Sequence, residues 1–333
     1  MNQPGRLFRL AALCAAGLMP LASNASETLT LAFVGDVMLA DGPGRLIARG
    51  VDPLRHVAPL LKQADVRIAN LECVIADNGR AIPGKPWVFR AHPRTLTIVR
   101  RHFDVVGLAN NHSGDYGPKA FAQMLDRLQA AQFPYVGGGR NLREAHAPWI
   151  IERKGLRIAL LAYNEFFPRR FEAGDETPGI AWSEDEQVRH DIEQARRVHH
   201  ADLVIPFMHW GWENETVAGP RQRALARLMI DAGADAVVGG HPHVVQDTET
   251  YRGKPIIYSL GNFVFDGFDK PENNLGWMLF LEAGREGIRR WQVKPVRIDA
   301  AGSPRPLPHD PGMCWQAGQP EAHSCPAAPP STS

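Results

Sequence analysis

The stretch ADAVVGGHPHVVQ, Ala234 to Gln246, joins a run of apolar residues to a loop that holds two histidines. The apolar run is typical of a buried strand, and the glycine pair after it marks the point where the strand ends. Pro242 alone separates His241 from His243, so both imidazoles leave the same short loop. The histidines are then either polar residues of a turn or ligands of a metal at the end of the strand.

Four other apolar runs also end in polar side chains. The stretches FVGDVM, IANLEC, GLANNHSGD and FMHWGWEN deliver carboxylate, amide and imidazole groups, namely Asp36, Glu72, Asn111, His112 and His209. In open α/β sheets, ligands bind at the carboxyl ends of the strands. One such residue alone is usually a turn or cap residue, but five strand ends with mixed groups favour a metal site. Mixed nitrogen and oxygen ligands suit zinc, manganese or iron(II) better than calcium.

Composition and pattern predict one large α/β domain. The chain has 333 residues, of which 44% are hydrophobic, enough for a large core. Apolar runs alternate with helical patterns, including a predicted helix over residues 52–64 and another over 183–200 that opens with a capping box. After about residue 245 we expect consecutive antiparallel strands, and the domain is predicted to span residues 26–300. The formal net charge is +1, which argues against a nucleic-acid partner.

The beginning of the chain predicts secretion. Arg6 and Arg9 precede an apolar stretch over residues 10–21, and Ser23-Asn24-Ala25 is a small-x-Ala cleavage site. The apolar stretch is too short to span a membrane. We therefore expect residues 1–25 to be a cleaved signal peptide and the mature protein to lie outside the cytoplasm, which is the periplasm if the organism is Gram-negative.

The end of the chain differs in composition from the domain. Residues 301–333 are rich in proline and serine, which predicts a loose tail. Cys314 and Cys325 would lie in an oxidising compartment, so a disulfide between them is expected, and it would contribute roughly 3 kcal/mol in the entropic model. Cys73 is expected to be a small buried hydrophobic residue rather than a reactive thiol.

Taken together, the motifs resemble those of the CapA (PgsA) family of poly-γ-glutamate capsule-synthesis proteins. They run in family order over about residues 29–266 and are VGDVM, ANLEC, FDVVGLANNHSGDYG, MHWGWE, GADAVVGGHPHVVQ and PIIYSLGNFVFD. The resemblance implies the calcineurin-like metallophosphatase fold, an α/β fold with a β-sandwich of mixed sheets flanked by α-helices. It also implies two divalent metal ions as cofactors, of manganese, zinc or iron.

The resemblance assigns roles residue by residue. The implied metal ligands include Glu72 as the bridging carboxylate and one imidazole of the Gly-His-x-His motif for each metal; the set is Asp36, Glu72, Asn111, His209, His241 and His243. His112 is implied as the proton donor beside the substrate. Asp115 either orients His112 or caps the following turn. Asn70 and Asn110 either hold turns or touch metal or substrate.

One position departs from the superfamily pattern. Met38 stands where the Asp-x-His motif has histidine, and a thioether is a poor ligand for a hard divalent ion. The first metal would then rest on Asp36, Glu72 and His243. Glu213 is a candidate to complete that site.

Three residues are candidate substrate contacts. Arg90 could reach an anionic substrate, with a solvated edge strand as the alternative. Trp210, like Trp212, lies beside His209 in the sequence and either walls the site or packs in the core. Glu213 is the third candidate.

Three functions fit these residues. The first is a secreted metal-dependent hydrolase that acts on an anionic envelope polymer such as poly-γ-glutamate, or on a phosphoester. The second is a scaffold without enzymatic activity that binds the polymer or a membrane capsule-synthesis complex. The third is a periplasmic phosphoesterase unrelated to capsule.

Overall fold

The computed structural model describes residues 28–326, so the predicted signal peptide over residues 1–25 lies outside the described residues. Its strands fall into two large sheets and two small pairs. They are β1 (Leu29–Val37), β2 (Val66–Leu71), β3 (Val74–Ile75), β4 (Arg90–Ala91), β5 (Val105–Gly107), β6 (Tyr135–Val136), β7 (Gly138–Gly139), β8 (Trp149–Arg153), β9 (Leu156–Asn164), β10 (Gly179–Ile180), β11 (Leu203–His209), β12 (Val237–Gly240), β13 (Thr248–Tyr251), β14 (Lys254–Ile257), β15 (Asn262–Val264), β16 (Leu275–Gly284), β17 (Gly287–Ile298), β18 (Pro304–Pro306), β19 (Met313–Gln316) and β20 (His323–Ser324).

The first large sheet has the order β20-β19-β17-β16-β1-β2-β5-β6, with β15 paired to β1 and β18 paired to β17. The second has the order β13-β14-β12-β11-β9-β8. Strands β1, β2, β5 and β6 run parallel to one another, as do β9, β11, β12 and β14. The carboxyl ends of the strands within each parallel set therefore lie at one edge of their sheet.

The helices contribute to the packing on the outer faces of the sheets. They are α1 (Asp41–Ala48), α2 (Ala58–Leu61), α3 (Leu96–His102), α4 (Gly117–Ala130), α5 (Leu142–Ala145), α6 (Asp185–Arg197) and α7 (Pro220–Ala232), with short 3-10 helices at Pro93–Thr95 and Pro271–Asn274. Within residues 28–326, no helix combines the length and the apolar character needed to cross a membrane.

Alternating side chains of the central strands place the core in three layers. Leu31 and Phe33 of β1 pack in the cluster between the two sheets, whereas Val34 packs in a second cluster that includes residues of α3 and α4. Tyr163 and Met208 point from the second sheet into a third cluster with residues of α6 and α7. Since successive side chains of a strand face opposite sides, strands buried on both faces are apolar throughout.

The predicted helix over residues 52–64 is wrong in extent. Residues 53–57 form turns, and only Ala58–Leu61 is helical. Pro59 lies in the first turn of this short helix, because proline lacks the N–H that a helix interior requires. The predicted capping box of the later helix is also absent, since Ser183 donates its hydroxyl hydrogen bond to Glu165 instead and α6 begins at Asp185.

The pairing after residue 245 is mixed rather than wholly antiparallel. β13 and β14 form an antiparallel hairpin, as do β16 and β17, but β14 pairs in parallel with β12. β15 pairs in parallel with β1 of the other sheet. Residues 258–261 therefore cross from one sheet to the other.

The described part of the tail, residues 301–326, is ordered where a loose segment was expected. β18 and β19 pair with β17, and β20 pairs with β19, which extends the first sheet beyond the expected boundary at residue 300. Cys314 and Cys325 form a disulfide within this extension. Trp315, which is 1% exposed, packs in the cluster between the sheets, so apolar burial and strand pairing together hold the segment.

Candidate metal centre

Polar side chains from five parallel strands meet in a buried site. Asp36 lies near the end of β1 and Glu72 follows β2, while His112 follows β5. His209 is the last residue of β11, and His241 follows β12. Asp36, Glu72 and His241 are all 0% exposed. The strand ends of both sheets thus supply one site.

Two glycines allow the close approach of backbones around Asp36. A Cβ on Gly35 would stand 1.9 Å from the carbonyl oxygen of Gly261, and a Cβ on Gly240 would stand 2.7 Å from Oδ1 of Asp36. The N–H of His241 donates to Oδ2 of Asp36 at 3.2 Å. A side chain at Gly240 would push the second sheet away from the carboxylate, and one at Gly35 would displace the segment that contains Gly261.

In the GGHPH loop, the two histidines have the strained backbone angles. His241 has a φ of 95° and His243 a φ of 56°, whereas Gly239 and Gly240 are strand residues without positive φ. Non-glycine residues rarely adopt such angles, and they do so mostly at functional sites. The glycines therefore provide space, and the turn itself is made at a conformational cost by the two histidines.

The ligand atoms fall into two groups that share Glu72. One group is Glu72, His241 and His243, the other is Asp36, Glu72 and His209, and within each group the ligand atoms lie within 4.8 Å of one another. Oε1 of Glu72 lies 3.5 Å from Nε2 of His209 and 3.8 Å from Nε2 of His243. The expected division, with His241 and His243 on different metals, stays a prediction. Nδ1 of His243 lies 3.4 Å from Oδ2 of Asp36, and Nδ1 of His241 lies 3.1 Å from Nε2 of His209.

Unpartnered buried atoms make this donor set fit a metal. Both carboxylate oxygens of Glu72 and Nε2 of His241 are buried without a hydrogen-bond partner among residues 28–326. Burying an ionised carboxylate without a partner costs several kcal/mol. A divalent cation would offset this cost, and oxygen and imidazole donors are the mixture that zinc, manganese and iron(II) accept.

The pKa values at the site reflect its burial. Burial, reinforced by the negative charge of Asp36, raises the pKa of Glu72 well above its usual value. Burial lowers the pKa of His209 and of His241 well below the usual value. Burial also disfavours the charged form of His243, but its interaction with Asp36 outweighs this and raises the pKa of that ring. His209 and His241 are therefore neutral near pH 7, which is the metal-binding form.

His112 is held by Asp115 and faces the ligand cluster. Its Nδ1 lies 2.7 Å from Oδ2 of Asp115, and its Nε2 lies 3.9 Å from Oε1 of Glu72. Asp115 also accepts the N–H of Phe89 at 2.7 Å, so its carboxylate positions the ring and the 83–89 loop. Burial, together with the charge of Lys85, lowers the pKa of His112 to about 4 against the opposing effect of Asp115. A ring that is neutral near pH 7 must accept a proton at Nε2 before it can donate one.

Lys85 is a site residue that sequence reasoning missed. Its Nζ lies 2.5 Å from Oδ1 of Asp115, 2.6 Å from the carbonyl oxygen of Asn111 and 3.4 Å from Nδ1 of His112. The residue lies in a loop without periodic pattern or strand end, so nothing in its sequence context marked it. It ties that loop to the one that carries His112.

Two asparagines support the ligands directly. Nδ2 of Asn70 donates to Oδ1 of Asp36 at 2.8 Å and lies 3.1 Å from Nδ1 of His209. Oδ1 of Asn262 lies 2.8 Å from Nδ1 of His243, which directs Nε2 of that ring toward Glu72.

Asn110 instead holds its own loop and the backbone of Leu71. The YSLGNF motif contains Asn262, so the signal for this residue was present but carried no assigned role.

Asn111 and Met38 differ in their relation to the site. Oδ1 of Asn111 lies 2.8 Å from Nε2 of His209, which places the amide beside the ligand group of Asp36. Met38 is 0% exposed in the core, where its sulfur accepts the N–H of Ala40 at 3.1 Å. The position of the absent histidine therefore contributes to packing and not to the donor set.

For two of the three candidate substrate contacts, the structure shows other partners. Nη1 of Arg90 donates to the carbonyl of Asn78 at 2.9 Å, and its guanidinium stacks over the ring of Tyr116, so it stabilises a loop. Trp210 is 0% exposed, and its Nε1 donates to the carbonyl of Tyr258 at 2.8 Å, so it is a core residue. Strand alternation puts Trp210 behind the site.

Glu213, by contrast, is exposed at the rim of a cavity beside the ligands. The neighbouring Trp212 is 71% exposed and touches the edge of Phe166, whose ring packs on His241 with 3.9 Å between centroids. Apolar side chains thus cover one flank of the ligand cluster.

Two cavities open beside the centre. The Glu213 cavity has a volume of about 370 Å³ and is lined by Glu213, Asp41, Arg45, Asp266, His112 and His243, with Trp87 among its apolar walls. The Lys85 cavity has a volume of about 260 Å³ and is lined by Lys85, Asn111, Arg169, Arg170, Glu172 and aromatic side chains. The adjacent residues Asn111 and His112 belong to different cavities, so the two spaces meet at the loop after β5.

Two mixed sheets packed face to face, helices on their outer faces and a buried cluster of metal-type ligands at the strand ends define a mixed α/β sandwich with a candidate metal centre. Within that class the chain belongs to the family of bacterial capsule synthesis proteins PGA_cap, whose profile matches residues 30–267. The family predicted from the motifs is confirmed, and so is the predicted α/β class with helices flanking mixed sheets.

Two CapA proteins agree with the family assignment. Capsule biosynthesis protein CapA of Bacillus anthracis is 34% identical over 297 residues, which cover 86% of this chain and 72% of that protein. PGA biosynthesis protein CapA of Bacillus subtilis (strain 168) is 32% identical over 294 residues, which cover 85% of this chain and 75% of that protein. Among solved structures, a putative 5'-nucleotidase from Staphylococcus aureus aligns with a TM-score of 0.46 at 14% identity, over 92% of this chain and 56% of that chain.

Proposed function

We propose that this protein is a metal-dependent hydrolase that acts on poly-γ-glutamate or a related anionic polymer of the cell envelope. The observation that carries the proposal is Glu72, whose two buried oxygens have no hydrogen-bond partner among the described residues and belong to both ligand groups. The polymer is taken from the relatives, which are named for capsule and PGA biosynthesis.

One divalent ion would be held by Asp36, Glu72 and His209, with Asn111 beside this group. A second would be held by Glu72, His241 and His243. When bound, such ions supply Lewis acidity and lower the pKa of water. His112 is placed to take a proton at Nε2 and to return it to the leaving group, since Asp115 holds its Nδ1. Lys85 keeps the His112 loop in position, and the protein surroundings exclude bulk water from the buried carboxylates.

We further propose that residues 1–25 direct secretion and are removed, so that the enzyme works in the periplasm or outside the cell. Arginines, an apolar stretch and a small-x-Ala site support this proposal. N-terminal sequencing of the protein from an expressing bacterium should begin at Ser26. A chain that retains its first residues in the cytoplasmic fraction would contradict secretion.

The activity is tested with purified protein loaded with manganese or zinc. A γ-glutamyl oligomer and a chromogenic phosphodiester are incubated with the wild type, with Asp36→Asn and with His112→Ala. Both substitutions should abolish hydrolysis, whereas the matched control His190→Ala, an exposed histidine of α6, should leave it unchanged. Turnover of the phosphodiester alone would favour a phosphoesterase unrelated to capsule.

The scaffold remains the second candidate, favoured by Met38 at the position where the Asp-x-His motif of the wider superfamily has histidine. In that case the protein would retain labelled poly-γ-glutamate, or bind a membrane capsule-synthesis complex, without turnover of any substrate. Binding that is unchanged in Asp36→Asn and His112→Ala, combined with no hydrolysis by metal-loaded wild type, would replace the hydrolase proposal with the scaffold.

A further inference from the structure

The two cavities beside the metal centre differ in the sign of their charged lining. The Lys85 cavity has three basic side chains and one acidic one, namely Lys85, Arg169, Arg170 and Glu172. The Glu213 cavity has three acidic side chains and one basic one, namely Asp41, Glu213, Asp266 and Arg45. A ligand that spans the centre therefore meets opposite potentials at its two ends.

In each cavity some charged side chains are already paired with protein groups, and others are available to contact a ligand. In the Lys85 cavity, Arg169 is paired with Glu172 and Glu184, and Lys85 is paired with Asp115. Arg170 is exposed at the rim, and its guanidinium enters no ion pair within residues 28–326.

In the Glu213 cavity, Asp266 accepts the N–H of Gly42 at 2.8 Å and lies 3.5 Å from Arg45. Glu213 and Asp41 are exposed there. The side chain of Arg45 is 70% exposed, so most of its donors still face solvent. This cavity thus offers carboxylates for a cation and a guanidinium for an anion.

We propose that the centre binds a γ-glutamyl chain by its amino-terminal end, with the terminal unit in the Glu213 cavity and the following units toward the Lys85 cavity. This inference rests on the proposed function. The terminal unit of a γ-linked chain carries an ammonium and a carboxylate on one carbon, which match Glu213 or Asp41 and Arg45 respectively. Every later unit carries a carboxylate and no ammonium, which suits the cavity with Arg170.

An interior stretch of the polymer would fit the site less well. It would bring a carboxylate without an ammonium against Glu213 and Asp41, and like charges at close range repel. Hydrolysis would consequently release terminal units. The oxygen of water adds to the γ-carbonyl carbon, the amide C–N bond breaks, the released glutamate carries the new carboxylate, and the shortened chain takes a proton on its new terminal amine.

The test measures binding with a readout independent of turnover. Calorimetry gives the Kd of a γ-glutamyl pentamer with a free amino terminus and of the same pentamer with that amine acetylated, at low temperature on the manganese-loaded full chain. The wild type should bind the free-amine pentamer about two- to fivefold more tightly, the size expected for one exposed ion pair. Glu213→Gln, or Asp41→Asn as a second variant, should bring this ratio toward one.

Two further variants complete the design. Arg170→Gln should weaken both pentamers by a similar factor and leave their ratio unchanged, because both carry the same internal carboxylates. Arg297→Gln, on the exposed part of β17 and outside the residues that line either cavity, should change neither Kd.

Equal affinity of the two pentamers for the wild type would overturn end recognition while leaving the polymer as ligand. A ratio that survives both Glu213→Gln and Asp41→Asn would overturn the assigned orientation. Failure to bind either pentamer would overturn the polymer as ligand, and with it the proposed function itself.

Discussion

Replacing Glu72 by glutamine should raise the stability of the metal-free protein and lower the stability of the metal-loaded protein. The carboxylate is fully buried, its oxygens have no hydrogen-bond partner among the described residues, and burial followed by the charge of Asp36 raises its pKa. In the metal-free protein its ionised form therefore lowers stability, and glutamine removes the charge at nearly the same volume. In the metal-loaded protein the same change removes a ligand that both groups use.

The loss of metal-dependent stability should exceed the gain in the metal-free protein. An unsatisfied buried polar group costs about 1–3 kcal/mol. Glutamine still leaves an unpaired amide, so the metal-free variant should gain about 1 kcal/mol over the metal-free wild type. A metal at a hundred times its Kd stabilises the folded wild type by about 2.7 kcal/mol, and the variant should lose most of this.

The stability of the metal-free protein should also change with pH. Because the pKa of Glu72 is raised in the folded state, the unfolded chain loses this proton first as the pH rises. The folded state then binds more protons than the unfolded state, so stability falls until the folded carboxyl also ionises. The advantage of metal-free Glu72→Gln should therefore grow above the usual glutamate pKa of about 4.3 and level off above the raised one.

The measurement is urea unfolding followed by circular dichroism, once with a chelator and once with excess manganese. Glu286→Gln, an exposed residue in the turn between β16 and β17, is the matched control and should change neither curve. If Glu72→Gln is destabilised equally under both conditions, Glu72 is a structural residue and the reasoning fails. No stabilisation of the wild type by metal would refute the ligand assignment as well.

Three further predictions follow from single contacts. Asn262→Leu removes the acceptor at Nδ1 of His243 and should weaken metal binding about 10–100-fold by competition with a chromogenic chelator, and unchanged affinity would rule out this support. Lys85→Met removes a cation that lowers the pKa of His112, so the imidazole resonance of the metal-free protein should titrate at higher pH by NMR, and a shift to lower pH would contradict the assigned effect. Replacing Cys314 and Cys325 by serine should cost roughly 3 kcal/mol in urea unfolding if the loop-entropy account holds, and no change would show that strand pairing alone secures the tail.

The sequence predicted the donor set because strand ends leave a strong pattern. Apolar runs such as those before His209 and His241 identify buried parallel strands, and their carboxyl ends must meet at one edge of a sheet. The same logic cannot place Lys85, which reaches the site from a loop of irregular conformation. It also could not distinguish Trp210 from Trp212, because that choice depends on which side of the strand end faces the core.

Local rules failed where tertiary contacts competed with them. Ser183 stands at a capping-box position, but Glu165 takes its hydroxyl in the structure. Arg90 has the charge to contact an anionic substrate, yet nearby carbonyls and the ring of Tyr116 hold it. The partners of Ser183 and Arg90 are distant in the sequence or lie in irregular segments. Sequence spacing alone therefore does not predict these contacts.

Met38 and Glu72 differ in their effect on how many ions the site could hold. Met38 packs in the core, so residue 38 supplies no ligand atom to the site. The ring of His243 nevertheless lies between two carboxylates, with Nδ1 at 3.4 Å from Asp36 and Nε2 at 3.8 Å from Glu72. Because Glu72 is shared, each group keeps three donors without residue 38. Loss of one imidazole should then weaken one ion, whereas loss of Glu72 should weaken both, and elemental analysis of His243→Ala beside Glu72→Gln distinguishes a shared carboxylate from two independent sites.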